Sequence, residues 1–245
     1  MSKSFLNKTL DFLNNNFVII LFVMLVFIAG YLFGSINRVK NLKQATPTQE
    51  PTAVNNESAP LAIEKAPAVS ESDHIIGASN PKVTIVDYSD FGCGFSARVH
   101  ETIAQLVEAY PTQIAWVYRS YPLNPSGPSR LIAEAAECVA STQGNDAYWN
   151  FTQKYYQKLT TESVMLNEDS LLAYVKELGY SNNAFLNCFN NKEQTSIIDE
   201  HVAGGKAVGI KGTPFLIIFS ADGRRDSVAG AAPYEDFVQK IEQYL

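Results

Sequence analysis

The residue with the clearest capacity for chemistry is Cys93, in the run Phe91-Gly92-Cys93-Gly94-Phe95-Ser96. It follows the apolar stretch 83–86 and comes just before a helical pattern over 97–110. The partial positive charge at a helix amino terminus stabilises a thiolate, which is the nucleophilic form of cysteine. A small buried core cysteine is the ordinary alternative. Glycines on both sides, at a turn from strand to helix, favour a reactive thiol instead.

Ser96 stands three residues after Cys93, where a redox site of the Cys-x-x-Cys type has its second cysteine. A serine hydroxyl can donate a hydrogen bond to a thiolate, but it cannot form a disulfide. Exchange at Cys93 therefore stops at the mixed disulfide unless an external thiol completes it.

A second candidate feature is Gly212-Thr213-Pro214, directly before the apolar stretch 215–219. A proline at the first residue of a strand is a common turn element. A cis Thr213–Pro214 bond would instead leave backbone groups of Thr213 free to pair with an extended peptide beside a thiol. The sequence alone favours trans, because cis X-Pro bonds are a small minority.

The chain has three cysteines, and an odd count in an exported domain suggests one disulfide and one reactive thiol. Cys138 and Cys188 would close a loop of about 51 residues, worth roughly 4 kcal/mol if chain entropy alone counts. Two free buried thiols are the alternative.

The elements that must position these residues form an α/β pattern. Stretches rich in β-branched residues predict strands, and apolar residues at helical spacing predict helices. The predicted strands are 83–88, 114–118, 215–219 and 226–228, and the predicted helical parts are 97–110, 129–208 with breaks near 144, 168, 179 and 191, and 235–245. This order predicts an α/β sandwich with a helical domain inserted in its middle.

The chain of 245 residues divides into an amino-terminal membrane part and one globular domain. The uncharged apolar run Phe17 to Ile36 is long enough to cross a bilayer, which predicts an anchor after a short cytoplasmic segment, 1–16. Residues 37–72 are rich in Ala, Pro, Glu, Ser and Thr and predict a flexible linker to an extracytoplasmic domain, 73–245. A cleaved signal peptide is the alternative to the anchor. The net charge of −6, without a basic stripe, argues against a nucleic-acid partner.

Three stretches together resemble the DsbA family of thiol–disulfide oxidoreductases, in particular its membrane-anchored bacterial members. They are Val86 to Ser96, Gly212 to Pro214, and Gly230 to Phe237. The resemblance implies a thioredoxin-like fold with a helical insertion at about 129–190, and a nucleophilic thiol at Cys93.

The resemblance also implies the surroundings of the thiol. Asp87 would be the acidic group beneath the site that assists proton transfer, although an ordinary strand carboxylate is its alternative. Pro214 would be cis, and Thr213, Pro214, Gly94 and Phe95 would contact the substrate. Cys138 would pair with Cys188. The implied partners are unfolded or exported proteins held as mixed disulfides and an unidentified redox-recycling partner, with no cofactor and no metal.

Ser96 departs from the family pattern, which has the resolving cysteine there. An engineered substitution that traps one state and a natural monothiol variant both account for it. Cys93-Gly94-Phe95-Ser96 is also identical to the motif of monothiol glutaredoxins, which are glutathione-dependent iron–sulfur carriers. A redox-silent, peptide-binding chaperone is a further alternative. His74, His100 and His201 show no metal-ligand spacing, and we expect them on the surface or on helix faces.

Overall fold

The computed structural model of the protein describes residues 61–245. The predicted anchor at 17–36, the segment before it and the first part of the linker lie outside these residues. No helix within 61–245 combines the length and the apolar character needed to span a bilayer.

The described chain is a five-stranded mixed sheet with helices on both faces. The strands are β1 (His74–Gly77), β2 (Val83–Ser89), β3 (Ile114–Ser120), β4 (Phe215–Ser220) and β5 (Arg225–Ala229). The helices are α1 (Gly94–Ala109), α2 (Pro128–Gln143), α3 (Asn145–Glu162), α4 (Glu168–Glu177), α5 (Asn183–Asn190), α6 (Thr195–Val208) and α7 (Tyr234–Glu242).

The sheet has the order β1-β3-β2-β4-β5, in which β2 and β3 are parallel and the other pairs are antiparallel. The two parallel strands lie in the interior, and nearly all their residues are buried, as is usual for strands covered on both faces. Alternate residues of β2 therefore enter different cores: Ile85 packs with the helical insert, and Val86 packs on the opposite face. This topology brings the carboxyl end of β2 to the amino end of α1.

The α/β architecture predicted from the sequence is present, with four helices over Pro128–Asn190, the stretch expected as the insertion. Two of them begin at asparagine caps: Asn167 Oδ1 accepts a hydrogen bond from the backbone N–H of Ser170, and Asn182 Oδ1 from that of Phe185. α6 ends at Gly209, whose φ of +92° favours glycine.

Two features at the start of the domain were not predicted from the sequence. β1 was not predicted, because four residues at the edge of a sheet carry little pattern. Residues 61–72 were assigned to the linker, yet they pack on the domain and include a short 3₁₀ helix, Ile63–Lys65. The guanidinium of Arg119 donates to the backbone carbonyls of Pro67 and Ala68, at 3.0 Å each. The domain therefore extends upstream of residue 73.

Candidate active site

Cys93 is the N-cap residue of α1, and it is a free, partly exposed cysteine. The preceding loop turns at Asp90, whose carbonyl accepts the N–H of Cys93 at 2.9 Å, and the N–H of Ala97 then donates to the Cys93 carbonyl at 3.1 Å. The thiol thus lies at the positive end of a four-turn helix, the position expected from the sequence.

The loop before β4 lies against this thiol. Cys93 Sγ donates to the carbonyl oxygen of Thr213 at 3.4 Å, although the two residues are 120 positions apart. The Thr213–Pro214 peptide bond is cis, as the resemblance implied and contrary to the preference of the sequence alone. The carbonyl of Pro214 accepts the N–H of Gly230 at 2.9 Å, which attaches this loop to the end of β5.

Ser96 is fully buried beneath the loop, in the first turn of α1. Its Oγ accepts a hydrogen bond from the backbone N–H of Asp90 at 3.3 Å. Among the described residues, no hydrogen bond joins Ser96 Oγ to Cys93 Sγ. The serine therefore supports the loop that carries the thiol and makes no direct contact of this kind with the sulfur.

Asp90 organises this loop, a role that was not predicted from the sequence. Its carboxylate is buried and accepts the N–H of Gly92 through Oδ1 at 2.7 Å and the N–H of Leu123 through Oδ2 at 2.9 Å. The available signal was an aspartate two residues before a glycine, a spacing at which the side chain can accept the backbone N–H. The bond to Leu123, by contrast, depends on the tertiary fold.

Asp87 lies on β2 with no exposed surface. Desolvation by burial raises the pKa of its carboxyl from 3.8 to about 7, and the hydrogen bond from Ser89 Oγ to Oδ1, at 2.6 Å, opposes only part of that effect. Within residues 61–245, Oδ2 has no hydrogen-bond partner. Asp87 is thus a carboxyl group that can hold a proton near neutral pH, in the interior six residues before the thiol.

Cys138 and Cys188 form a disulfide, with Cα atoms 5.7 Å apart. The bond joins α2 to α5 across the helical insert, and both cysteines are buried. The two cysteines are thereby committed to structure, and Cys93 is the free cysteine among the three of the chain.

His100 and His201 lie on the helices α1 and α6, in agreement with the expected helix-face positions, although both side chains are buried. His100 packs against Trp116, with ring centroids 4.6 Å apart, and burial lowers its pKa to about 3. Burial also lowers the pKa of His201 to about 4. His74 is partly buried and lies 2.8 Å from Glu137. In the described part of the chain, no three His, Cys, Asp or Glu side chains are placed to hold a metal ion.

The surface around the thiol is apolar. Phe95, Leu123 and Met165 are exposed large side chains that border the loop. Met165 packs so closely over Gly92 that a side chain at that position would collide with its methyl group. Gly94, by contrast, faces open space. A cavity of about 380 Å³ is lined by Thr213, Pro214 and their neighbours. The arrangement suits a peptide chain that passes over a nucleophilic sulfur.

Comparison with known proteins supplies the family. A family model described as thioredoxin matches residues 69–243. Among curated proteins, the Na⁺/H⁺ antiporters NhaA 1 of Salinispora arenicola and NhaA of Herminiimonas arsenicoxydans are 29% and 28% identical over 160 and 166 residues, which are 65% and 68% of this chain. These matches cover only 23% and 25% of the antiporters, so the chain spans about a quarter of their length.

Several solved structures share the fold. The thiol–disulfide exchange protein α-DsbA2 of Wolbachia pipientis aligns with a TM-score of 0.60 and 22% identity, over 71% of this chain and 88% of that one. A periplasmic thioredoxin-like protein of Salmonella enterica serovar Typhimurium aligns with 0.61 and 21%, over 74% and 95%. BcfH of Salmonella enterica Typhimurium aligns with 0.64 and 16%, over 97% and 99%.

Proposed function

The chain belongs to the thioredoxin family, and from that premise we propose that it is a membrane-tethered, extracytoplasmic thiol–disulfide oxidoreductase that acts on disulfides of exported proteins through Cys93. The observation that carries the proposal is the placement of the free Cys93 thiol at the start of α1, 3.4 Å from the carbonyl that precedes a cis proline. The DsbA proteins that share the fold support the same chemistry.

The first step is an exchange between two sulfur pairs. The Cys93 thiolate attacks one sulfur of a substrate disulfide, the Cys93–substrate S–S bond forms, and the substrate S–S bond breaks. The second substrate sulfur leaves as a thiolate and takes up a proton. Thr213 and Pro214 would present backbone groups to the substrate, with Gly94 and Phe95 beside them. Asp87 would hold or release a proton below the thiol, since its pKa of about 7 allows both forms near neutral pH.

The second step needs a thiol from outside the site, because residue 96 is serine. An external thiolate, from the substrate or from a recycling partner, attacks the mixed disulfide and releases one of its two sulfurs as a thiolate. The chain with Ser96 would therefore accumulate the mixed disulfide, whether the serine is natural or engineered. A cysteine at this position would give the protein its own resolving thiol.

Location outside the cytoplasm is supported by chemistry as well as by similarity. A structural disulfide is typical of an oxidising compartment, and the Cys138–Cys188 bond is fully buried in the insert. One of the proteins with the same fold is a periplasmic thioredoxin-like protein. The apolar run Phe17 to Ile36 would supply the tether.

The test is adduct formation between the full chain and a peptide disulfide, measured by intact mass. We expect one peptide on the chain as written, none on Cys93→Ala, and a transient adduct on Ser96→Cys that ends in an internal disulfide. A chain that gives no adduct at Cys93 would contradict the proposal. If Cys93→Ala also retained its capacity to keep unfolded proteins soluble, the redox-silent chaperone would be the better description.

A further inference from the structure

We propose that Leu61, in the segment that leads into the domain, forms a wall of the substrate-binding cavity and selects substrates with an apolar side chain next to the reactive cysteine. The inference rests on the proposed function, since it concerns the peptide that Cys93 would hold. Leu61 lies outside residues 69–243, which the family model matches, so the wall is a feature of this chain in addition to the family domain.

Hydrogen bonds to the backbone groups of the segment fix it to the domain. The N–H of Ala62 donates to the carbonyl of Val208 at 2.9 Å, at the end of α6. Arg225 Nη1, on the edge strand β5, lies within hydrogen-bond distance of three carbonyl oxygens, which belong to Ile63 (3.2 Å), Glu64 (2.9 Å) and Ala66 (3.3 Å). One guanidinium group therefore holds a full turn of the segment in place.

This anchorage places Leu61 beside the loop before β4, which carries the Thr213 carbonyl that accepts the Cys93 thiol. Leu61 lines the cavity of about 380 Å³ together with the loop that contains Thr213 and Pro214 and with the end of β5 at Gly230. Thr213 is shared between this cavity and the thiol, because its carbonyl accepts from Cys93 Sγ at 3.4 Å. A peptide joined to Cys93 and passing over Thr213 would therefore place a neighbouring side chain at the cavity.

The chemistry of the walls defines which side chain fits. The lining consists of Leu61, Gly209, Lys211, Gly212, Thr213, Pro214, Phe215, Ala229 and Gly230. Lys211 is the only charged residue among them, and the remainder is mostly apolar or glycine. Leu61 is itself 44% exposed, so contact with an apolar side chain would remove its surface from water. A leucine-sized side chain suits these walls better than an amide of the same size.

The experiment compares two peptide disulfides that differ only in Leu or Asn beside the cysteine, since these side chains have nearly the same shape. The rate of adduct formation is measured on the full chain as a function of peptide concentration. We expect the Leu peptide to react at lower concentration. Leu61→Ala should reduce that preference about five- to tenfold, as loss of a few buried methyl and methylene groups implies, while the rate at saturation stays the same.

Matched variants separate the wall from general effects on stability. Arg225→Ala removes the hydrogen bonds to the carbonyls of Ile63, Glu64 and Ala66, and should reduce the preference as Leu61→Ala does. Arg224→Ala, at the adjacent exposed arginine, and Ile75→Ala, at an exposed residue of β1, should leave it unchanged. A preference unaltered by Leu61→Ala, with adducts still forming, would overturn the inference and leave the proposed function intact. No adduct with either peptide on the unaltered chain would refute the proposed function and the inference with it.

Discussion

Replacement of Asp87 by asparagine is expected to stabilise the protein, and to do so only above acidic pH. Asp87 is fully buried on β2, and desolvation raises its carboxyl pKa from 3.8 to about 7. The folded state then binds the proton more tightly than the unfolded state does. This contribution to stability is complete below the unfolded pKa, near 4, and is lost as the pH rises through 7.

The magnitude follows from the two pKa values. Each pH unit between them corresponds to about 1.4 kcal/mol, so ionised Asp87 costs the folded state roughly 4 kcal/mol above pH 8. Asparagine has the shape of the protonated acid and does not ionise. The free energies of unfolding of the two proteins should therefore be similar at pH 4, and Asp87→Asn should be the more stable by up to roughly 4 kcal/mol at pH 9.

The assay is urea denaturation of both proteins at pH 4, 7 and 9. Asp226→Asn is the matched control on another strand. Partial burial alone would raise the pKa of the Asp226 carboxyl, but hydrogen bonds, of which the one from Lys240 has the largest effect, lower that pKa. The Asp226 carboxylate thus contributes stability that is lost as the pH falls, and its replacement should destabilise the protein at pH 7. A free-energy difference for Asp87→Asn that is equal at pH 4 and pH 9 would refute the reasoning.

Three further predictions concern other parts of the molecule. Replacement of both Cys138 and Cys188 by alanine should lower the free energy of unfolding by up to roughly 4 kcal/mol, which is the chain-entropy value for a loop of this length. Urea denaturation measures this loss, and an equal loss of stability in Cys93→Ala would contradict the prediction. Asp90→Ala leaves the backbone N–H groups of Gly92 and Leu123 without their acceptor, and each unsatisfied buried N–H costs about 1–3 kcal/mol. Adduct formation at Cys93 should therefore slow, and Asp90→Asn should have a rate between those of Asp90→Ala and the unaltered chain. An unchanged rate would show that Asp90 does not position the thiol. His100, with a pKa of about 3, should show no titration by NMR between pH 5 and 8, and a midpoint in that range would show that its ring is hydrated.

The local pattern of the sequence was sufficient for most elements of the fold. β2, β3, β4 and β5 were predicted because β-branched residues cluster in short runs, and α1 because its apolar residues repeat at helical spacing. Such patterns depend on neighbours within a few positions, and the chain contains them before it folds. Cys93 could be recognised for the same reason, since its flanking glycines and the following helix are adjacent to it.

Elements without a strong local pattern were missed. β1 has four residues, and residues 61–72 have the composition of a linker. Both are ordered by partners far along the chain: β1 pairs with β3, and the segment binds the side chains of Arg119 and Arg225. The composition of a stretch predicts whether that stretch can become ordered by itself. It cannot predict hydrogen bonds that side chains from distant parts of the chain donate to the stretch.

The site shows the same division. Its nucleophile and its proline loop were identified as candidates from sequence, and the resemblance supplied the cis bond. Only the tertiary structure decided three other features of the molecule. They are the hydrogen bond from the Leu123 N–H to Asp90, the neutral interior position of His100, and the place of Leu61 beside Pro214. Residue type and spacing determine which chemistry a side chain can take part in, whereas burial and hydrogen-bond partners determine its protonation state. Those properties arise when distant parts of the chain pack together, and no local stretch of sequence contains them.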